Sequence, residues 1–394
     1  MVAFRRKTLA LAMAGIAWSL SIAANEPAVT RVFDPHLVVE PADGKSADDS
    51  GQIVLRIQLD GASHRLILTP NIALEAEAAR FIAATKPKQH WLYRGAIAQR
   101  PDSWVRASRS DGAWNGVIWD GKEMWSLTAA AELPHLARAA RVSSGGHVVY
   151  RGSDAWDSID LGDDARPMPL TPRLFHPAAA ARNHAKGAVF SYNLGLSIVL
   201  DTEFQTLYGD EAARAVAIVN IVDGYYERTT DTSVYLNELK LLPAGNAGIT
   251  GMTKETLLPQ LEAYVQTPAA PAFHAATHLL TGKNAVSGGY AYVGSICVPQ
   301  FGIGVSAGKH DQATTAALLA HELGHNYGAE HDGEPGNGQA CPISGFVMEP
   351  SIVIGNPPDD FSTCSVVTFA TAAGGGDTCL SDAPQTIFED SFEN

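Results

Sequence analysis

HELGHNYGAEH, from His321 to His331, is the stretch that says most about the fold and the chemistry of this chain. His321 and His325 are four residues apart, and positions i and i+4 of a helix lie on one face, so both imidazoles can reach the same ion. Gly328 suits a helix end in the left-handed conformation, after which the chain can turn back and deliver His331. The stretch therefore predicts a metal-binding helix, with Glu322 beside the metal ligands rather than among them.

The chemistry that this donor set favours is hydrolysis assisted by zinc. Three neutral imidazoles leave a fourth position open for water, which is typical of catalytic zinc. Zinc lowers the pKa of that water, and Glu322 would take its proton during attack on a peptide carbonyl. The motif fixes five positions, and a chance match in a chain of this composition has a probability on the order of 10⁻⁴. Histidines that only pack a helix, and a site that binds metal without catalysis, are the weaker alternatives.

The chain has two parts of different composition. Of its 394 residues, 46% are apolar and 18% are charged, which is typical of a globular protein. The formal net charge is −14, but residues 188–394 have a balance of −17 and residues 1–187 one of +3. The acidic part disfavours nucleic-acid binding, and the opposite signs favour attraction between the two parts. A surface that is merely acidic and soluble is the simpler alternative.

The first residues have the pattern of a secretory signal peptide. Arg5, Arg6 and Lys7 precede an apolar run that is short for a membrane span, and small residues follow. We expect residues 1–24 to be removed and the product to be a secreted, extracellular monomer without membrane contact, with the periplasm as the alternative destination. The four cysteines lack the C-x-x-C spacing of a thiolate zinc site, so in an exported chain they suggest two disulfides.

Local patterns predict two folded regions separated by a linker. Short alternating strands predict a small antiparallel β domain at residues 30–155, including a hairpin that turns at Asp60-Gly61. Residues 157–187, which are rich in Pro and Ala, predict an exposed linker. From residue 188 onward strands alternate with helices, the last of which is expected at residues 314–327, and the chain after it is expected to be irregular. The fold class is α/β.

The extended motif resembles that of the metzincin clan of zinc metalloproteases. Asp332, directly after the third histidine, is similar to the signature of the adamalysin family, also called reprolysins or ADAM-like proteases. Similarity to this family continues through most of residues 196–380, and residues 59–127 resemble its propeptide more loosely. The resemblance implies a zymogen of an exported, bacterial type, with a mixed twisted sheet, a zinc-binding helix and a Met-turn. The expected regions are a signal peptide (1–24), a propeptide (25–187), the protease domain (188–382) and an acidic tail (383–394).

The resemblance also assigns roles to individual residues. Met348 would form the apolar floor beneath one zinc ion. Substrate peptides would pair with an edge strand. His274, His278 and His310 are interpreted as structural, and Asn326 as a helix residue without a direct catalytic role. Four cysteines allow three pairings, and only the resemblance favours Cys297–Cys379 with Cys341–Cys364. The residues of the edge strand are Tyr290, Ala291, Tyr292, Val293 and Gly294.

The sequence departs from the family pattern in two respects. Gly195 and Ala275 stand where the family has calcium-binding carboxylates, so no calcium is expected there. The propeptide has no cysteine to occupy the zinc, so it must inhibit sterically or through another ligand such as a carboxylate or a histidine. Its release is expected by cleavage between Thr171 and Val189. The rival interpretation is an inactive metzincin-like protein that binds metal or a partner.

Overall fold

The computed structural model of the chain describes an eight-stranded sheet, a six-stranded sheet, a two-stranded sheet and the helices that pack on them. No helix in this part of the chain has both the length and the apolar character that crossing a bilayer needs. The predicted signal peptide and the predicted tail lie outside the described residues. The described residues are 31–41, 51–82, 91–151, 158–161, 164–169, 192–230, 232–343, 345–353, 358, 360–374 and 378–380.

An antiparallel sheet of eight strands fills the N-terminal part, and each strand pairs with the next along the sequence. Positive φ angles at Asp60 and Gly61, and again at Asp111 and Gly112, produce tight turns whose twist matches that of the strands. The sequence predicts this sheet but not its two short helices, α1 (Ile72–Ala78) and α2 (Pro134–Ala139). The strands are β1 (Val38–Pro41), β2 (Ile53–Leu59), β3 (Ala62–Pro70), β4 (Leu92–Ile97), β5 (Trp104–Ser110), β6 (Ala113–Trp119), β7 (Met124–Ala129) and β8 (His147–Arg151).

The C-terminal part is a mixed α/β unit, as the sequence predicts. Its strands, with two that precede it, are β9 (Ser158–Asp160), β10 (Ala165–Pro167), β11 (Tyr192–Leu200), β12 (Thr232–Leu241), β13 (Ala276–Thr281), β14 (Gly289–Val293), β15 (Ile303–Ala307) and β16 (Ser351–Val353). Its helices are α3 (Thr202–Leu207), α4 (Glu211–Thr230), α5 (Lys254–Val265), α6 (Gln312–Tyr327) and α7 (Thr363–Gly374). The sheet has the order β10-β14-β15-β13-β11-β12, and β14 alone among these strands runs antiparallel to its neighbour β15.

Two expectations from the sequence are wrong. The chain after Gly328 is not irregular throughout, because α7 forms and buries Phe369, Ala372 and Ala373 in the core. Nor is all of residues 157–187 an exposed linker. Within it, β9 pairs with β16 and β10 pairs with β14, since both partners offer free backbone groups at a strand edge. We call residues 158–161 and 164–167 the covering segment.

Helix α4 joins the two parts of the molecule. Every residue from Arg214 to Tyr226 is buried, so this helix is covered on all sides and not on one stripe. The core that contains it includes Trp104 and Val117 of the N-terminal sheet together with Leu196 and Ile198 of β11. The eight-stranded and the six-stranded sheet therefore pack through a shared apolar core.

Candidate metal centre

Helix α6 carries two of the predicted ligands at its buried C-terminal end. It begins after Asp311, whose carboxylate accepts hydrogen bonds from the backbone N–H groups of Ala313 (3.0 Å) and Thr314 (3.1 Å). It ends at Tyr327, and Gly328 has φ 104°, the left-handed conformation that the sequence predicts. The reversal of the chain there brings the following residues back toward the helix.

The rings of His321, His325 and His331 converge, and each has a hydrogen-bond partner at Nδ1. The partners are the carbonyl of Val347 (2.5 Å), the carbonyl of Ala329 (2.7 Å) and a carboxylate oxygen of Glu334 (3.0 Å). Since carbonyl and carboxylate oxygens accept, each Nδ1 is the donor, and the neutral ring keeps its lone pair at Nε2. Second partners of this kind orient the imidazoles that bind metals.

A fourth group, Asp164, lies next to all three rings. Its carboxylate is 3.3 Å from His321 Nε2, 3.2 Å from His325 Nε2 and 2.8 Å from His331 Nε2. Asp164 is completely buried. Burial acts to raise the pKa of Asp164, but the contacts with the histidines hold that pKa below its usual range. No sequence pattern singles out this residue, which lies in the predicted linker.

The donor set fits a zinc ion. His321 Nε2, His331 Nε2 and Asp164 Oδ2 are buried without a hydrogen-bond partner in the described part of the protein. All four donor atoms lie within 4.8 Å of one another. Ligands bound at about 2 Å in a tetrahedron are roughly 3.3 Å apart, close to the separations seen here. Three lone pairs and a carboxylate that face one another repel unless a cation lies among them.

Glu322 lies next to these ligands and does not belong to the group. Both of its carboxylate oxygens are buried, without a hydrogen-bond partner in the described structure. Burial raises the pKa of Glu322 well above its ordinary value, and the charge of Asp164 raises it further. Gly289 makes room for this carboxylate, because an ideal Cβ there would be 2.1 Å from Glu322 Oε1. Gly289 is a second residue that motif reasoning missed.

The predicted Met-turn lies directly beneath α6. Met348 is fully buried, and a Cβ at Gly324 would be 2.5 Å from its sulfur, so only glycine allows this contact. The backbone N–H of Asp332 donates to the carbonyl of Met348 (2.9 Å), and the carboxylate of Asp332 accepts from Ser362 Oγ (2.6 Å). Asp332 thus ties the chain after His331 to the Met-turn.

The predicted edge strand borders the cluster. Asn326 donates to the carbonyls of Tyr292 (2.9 Å) and Ile303 (3.0 Å), and its Oδ1 is 2.7 Å from His278 Nε2. It therefore connects α6 to β14 and β15, a positioning role that the sequence interpretation did not include. His274, His278 and His310 lie outside the group of metal donors found among the described residues.

Two disulfides join the cysteines in the pairs that the resemblance implies, Cys297–Cys379 and Cys341–Cys364. The first connects the chain after β14 to the 3₁₀ turn at Thr378–Leu380, and the second connects the loop before the Met-turn to α7. Asp332 lies near Cys341 and Cys364, but those sulfurs are joined to each other and cannot bind a metal.

Comparison with known proteins agrees with this geometry. Residues 194–384 match the family model described as "Reprolysin (M12B) family zinc metalloprotease". This region of the chain belongs to the reprolysin family. We call residues 194–384 the reprolysin domain, and by this match it is a zinc metalloprotease domain with a mixed α/β fold.

Curated relatives support the assignment to the reprolysin family. Human "A disintegrin and metalloproteinase with thrombospondin motifs 14" is 24% identical over 82% of this chain and 28% of its own length. Rat "Disintegrin and metalloproteinase domain-containing protein 15" is 25% identical over 83% of this chain and 40% of its own. Bombyx mori "A disintegrin and metalloproteinase with thrombospondin motifs 1" is 25% identical over 72% and 30%. The chain thus spans well under half the length of these relatives.

The reprolysin domain fills the space beside Gly195, where the sequence led us to expect no calcium. An ideal Cβ at Gly195 would be 2.6 Å from the hydroxyl of Tyr235 and 2.7 Å from the ring of His274. Ala275 is fully buried. Neither position offers a carboxylate, and the absence of calcium there stays a prediction.

Proposed function

We propose that this chain is a secreted zinc endopeptidase, made as a zymogen, that cleaves protein or peptide substrates with Glu322 as its base. The observation that carries the proposal is the convergence of His321, His325 and His331 through Nε2, next to an unpartnered Glu322 carboxylate. Zinc at this site would polarise the scissile carbonyl and lower the pKa of the attacking water.

The residues of the chain divide the remaining work. Glu322 accepts the proton of the attacking water and passes it to the leaving amine. The strand from Tyr290 to Gly294 binds the substrate backbone by strand addition. Met348 and Asp332 keep the ligands in place from below. Residues 25–187 form the propeptide, residues 188–382 the protease domain, and cleavage between Thr171 and Val189 activates it.

The test replaces the base and a ligand separately. After cleavage within residues 171–189, Glu322→Ala should retain zinc by elemental analysis and lose roughly 10²–10⁴-fold in kcat on a protein substrate, since its base is gone. His325→Ala should lose both zinc and activity. Glu255→Ala, an exposed glutamate on α5, is the matched control and should behave like wild type.

The same experiment separates the rival functions. A chelator should abolish hydrolysis by the cleaved wild-type chain, and added zinc should restore it. A cleaved wild-type chain that binds zinc but hydrolyses nothing would favour a metal-binding or partner-binding protein. Near-wild-type hydrolysis by Glu322→Ala would contradict the role given to this residue.

A further inference from the structure

We propose that Asp164 is a fourth protein ligand of the zinc in the uncleaved chain, and that it closes the metal site until the segment carrying it is released. This inference rests on the zinc site proposed above. It adds to that site a residue from outside the reprolysin domain, 157 positions before His321, and identifies the carboxylate as the group that replaces water.

The first argument is the geometry of the donors. Asp164 has one hydrogen bond to a ring of the cluster, with His325 Nε2 at 3.2 Å, while His321 Nε2 and His331 Nε2 have none. Because His325 Nδ1 already donates to the carbonyl of Ala329, this bond needs an additional proton, either on Nε2 or on the carboxylate. A bound cation satisfies all three rings and the carboxylate together, without an additional proton.

The second argument is that Asp164 is held in place by the chain on both sides. After it, β10 pairs with β14 through Ala165–Ala291, Arg166–Tyr292 and Pro167–Val293, and the carbonyl of Asp164 accepts from the N–H of Ala291 (2.9 Å). Before it, β9 pairs with β16, next to the Met-turn. The position of the carboxylate is therefore fixed by backbone pairing with two different strands of the domain it blocks.

Leu161 provides a third anchor. Its side chain is completely buried in a cluster with Leu318 and Ile352. Its N–H donates to the carbonyl of Pro350 (3.2 Å), and its carbonyl accepts a hydrogen bond from Lys254 Nζ. An exposed linker would not bury a leucine completely. The covering segment is therefore packed against the reprolysin domain through Leu161.

The third argument concerns the substrate strand. β10 occupies the free edge of β14, and it runs parallel to β14. A substrate that adds to β14 needs the same backbone groups. The covering segment thus blocks the metal and the substrate strand together, and cleavage just after it, between Thr171 and Val189, would free its C-terminal end.

The test measures the visible spectrum of a metal ion bound at the site. It uses full-length chains that carry Glu322→Ala, so that no self-cleavage alters the samples. Cobalt(II) replaces zinc, and the visible spectrum is compared among the Asp164 parent, Asp164→Asn and Asp164→Ala. Asp111→Asn is the matched control, since Asp111 is exposed in a hairpin turn whose positive φ suits asparagine. Both Asp164 variants should change the spectrum, and the control should not.

Zinc affinity and access to the metal provide independent measurements. In chelator competition the Asp164 variants should bind zinc about tenfold more weakly or worse, because even outer-shell partners contribute that much. Azide should leave the cobalt spectrum of the uncleaved parent unchanged and should perturb it after cleavage within residues 171–189. The azide comparison needs no Asp164 variant, so azide binding to the uncleaved parent would count against the proposal even if those variants fold poorly.

Hydrolysis distinguishes failure of this inference from failure of the proposed function. With Glu322 intact, uncleaved Asp164→Ala should hydrolyse substrate at least about tenfold faster than uncleaved wild type, matching the weaker hold on the metal. Unchanged spectra in the Asp164 variants, with azide binding to the uncleaved parent, would overturn the ligand role of Asp164. Absence of hydrolysis by cleaved wild type would instead overturn the proteolytic function, while the spectra still decide the ligand.

Discussion

The N-terminal part contacts the reprolysin domain in two regions that differ in kind. One, the docking face, is formed by α1, β4 and β5 against α4 and β12. The other is the covering segment over the metal centre. The docking face is made of regular elements that share an apolar core with α4, whereas the covering segment consists of two three-residue strands together with Leu161 and Asp164. The contrast suggests that a single chain uses one contact to assemble and the other to regulate.

The docking face has polar contacts that only a buried interface can maintain. Arg106 is 4% exposed and makes ion pairs with Asp223 (3.1 Å) and Glu227. Asn220 accepts from Asn71 (2.9 Å) and donates to the carbonyls of Tyr93 and Ala107. Removal of the N-terminal sheet would take these partners away from α4 and expose its apolar surface.

Opposite charges contribute to the docking face, as the sequence led us to expect, but they do so as individual ion pairs. Arg94 and Arg106 of the sheet face Asp223 and Glu227 of α4. Arg228 of α4 donates to the carbonyl of Asp102 (2.9 Å). Gly224 lets the sheet approach, because an ideal Cβ there would be 2.8 Å from the side chains of both Trp104 and Arg106. We therefore expect the sheet to stay bound after the covering segment has been cut free.

Cleavage within residues 171–189 should separate the two contacts, with the largest effect of our predictions. Hydrolysis should rise at least about 100-fold, since an open metal position and a free β14 edge are both gained. The N-terminal fragment should nevertheless elute with the reprolysin domain in size-exclusion chromatography. Tryptophan fluorescence reports this directly, because all seven tryptophans precede residue 187. An active peak without tryptophan emission would show that the docking face is as temporary as the covering segment.

Arg106→Leu should weaken the docking face without touching the metal centre. It leaves Asp223 buried without its cation, which typically costs about 3–5 kcal/mol of unfolding free energy. Urea unfolding of the uncleaved chain measures the loss. Arg109→Leu, on the same strand, is the matched control and should cost about 0.5–1 kcal/mol, since Arg109 lies over Trp114 in a cation–π contact.

A second substitution tests the cause of that loss. Adding Asp223→Asn to Arg106→Leu should restore part of the stability, because it removes the unpaired charge and keeps an acceptor for the N–H of Val234. If Arg106→Leu cost no more than Arg109→Leu, the buried ion pairs would not be what holds the sheet to α4.

The sequence predicts the local part of the metal centre well and its distant part poorly. His321, Glu322 and His325 follow from helical spacing, and Gly328 from the conformation that only glycine adopts cheaply. These features depend on neighbours within a few residues. Asp164 is different, because its role arises from the pairing of β10 with β14, and nothing within the linker distinguishes this aspartate from others.

The same difference explains the errors in the fold. The strands of the N-terminal sheet alternate clearly and are joined by Asp-Gly turns, so they could be predicted. Helix α7 is rich in threonine and valine, which have low helix propensity, and it is stabilised by the burial of Phe369 against Tyr226 and Tyr327. Such tertiary contacts override the local preference and leave no periodic signal.

The smallest predicted effect is a pH dependence of the docking face through Glu77. This carboxylate of α1 accepts from the N–H of Leu236 on β12 (2.8 Å), and burial raises its pKa from 4.5 to about 7. Arg80 acts to lower that pKa and Asp223 to raise it. Because the folded state holds the proton more tightly than the unfolded chain, the contribution of Glu77 to stability is greatest below pH 4.5, and falls as pH rises to about 7.

Urea midpoints should therefore fall more between these pH values in wild type than in Glu77→Gln, which cannot ionise. The difference between the two chains isolates Glu77 from every other titrating group. An equal fall in both would mean that Glu77 keeps an ordinary pKa and that the docking face does not respond to pH through it.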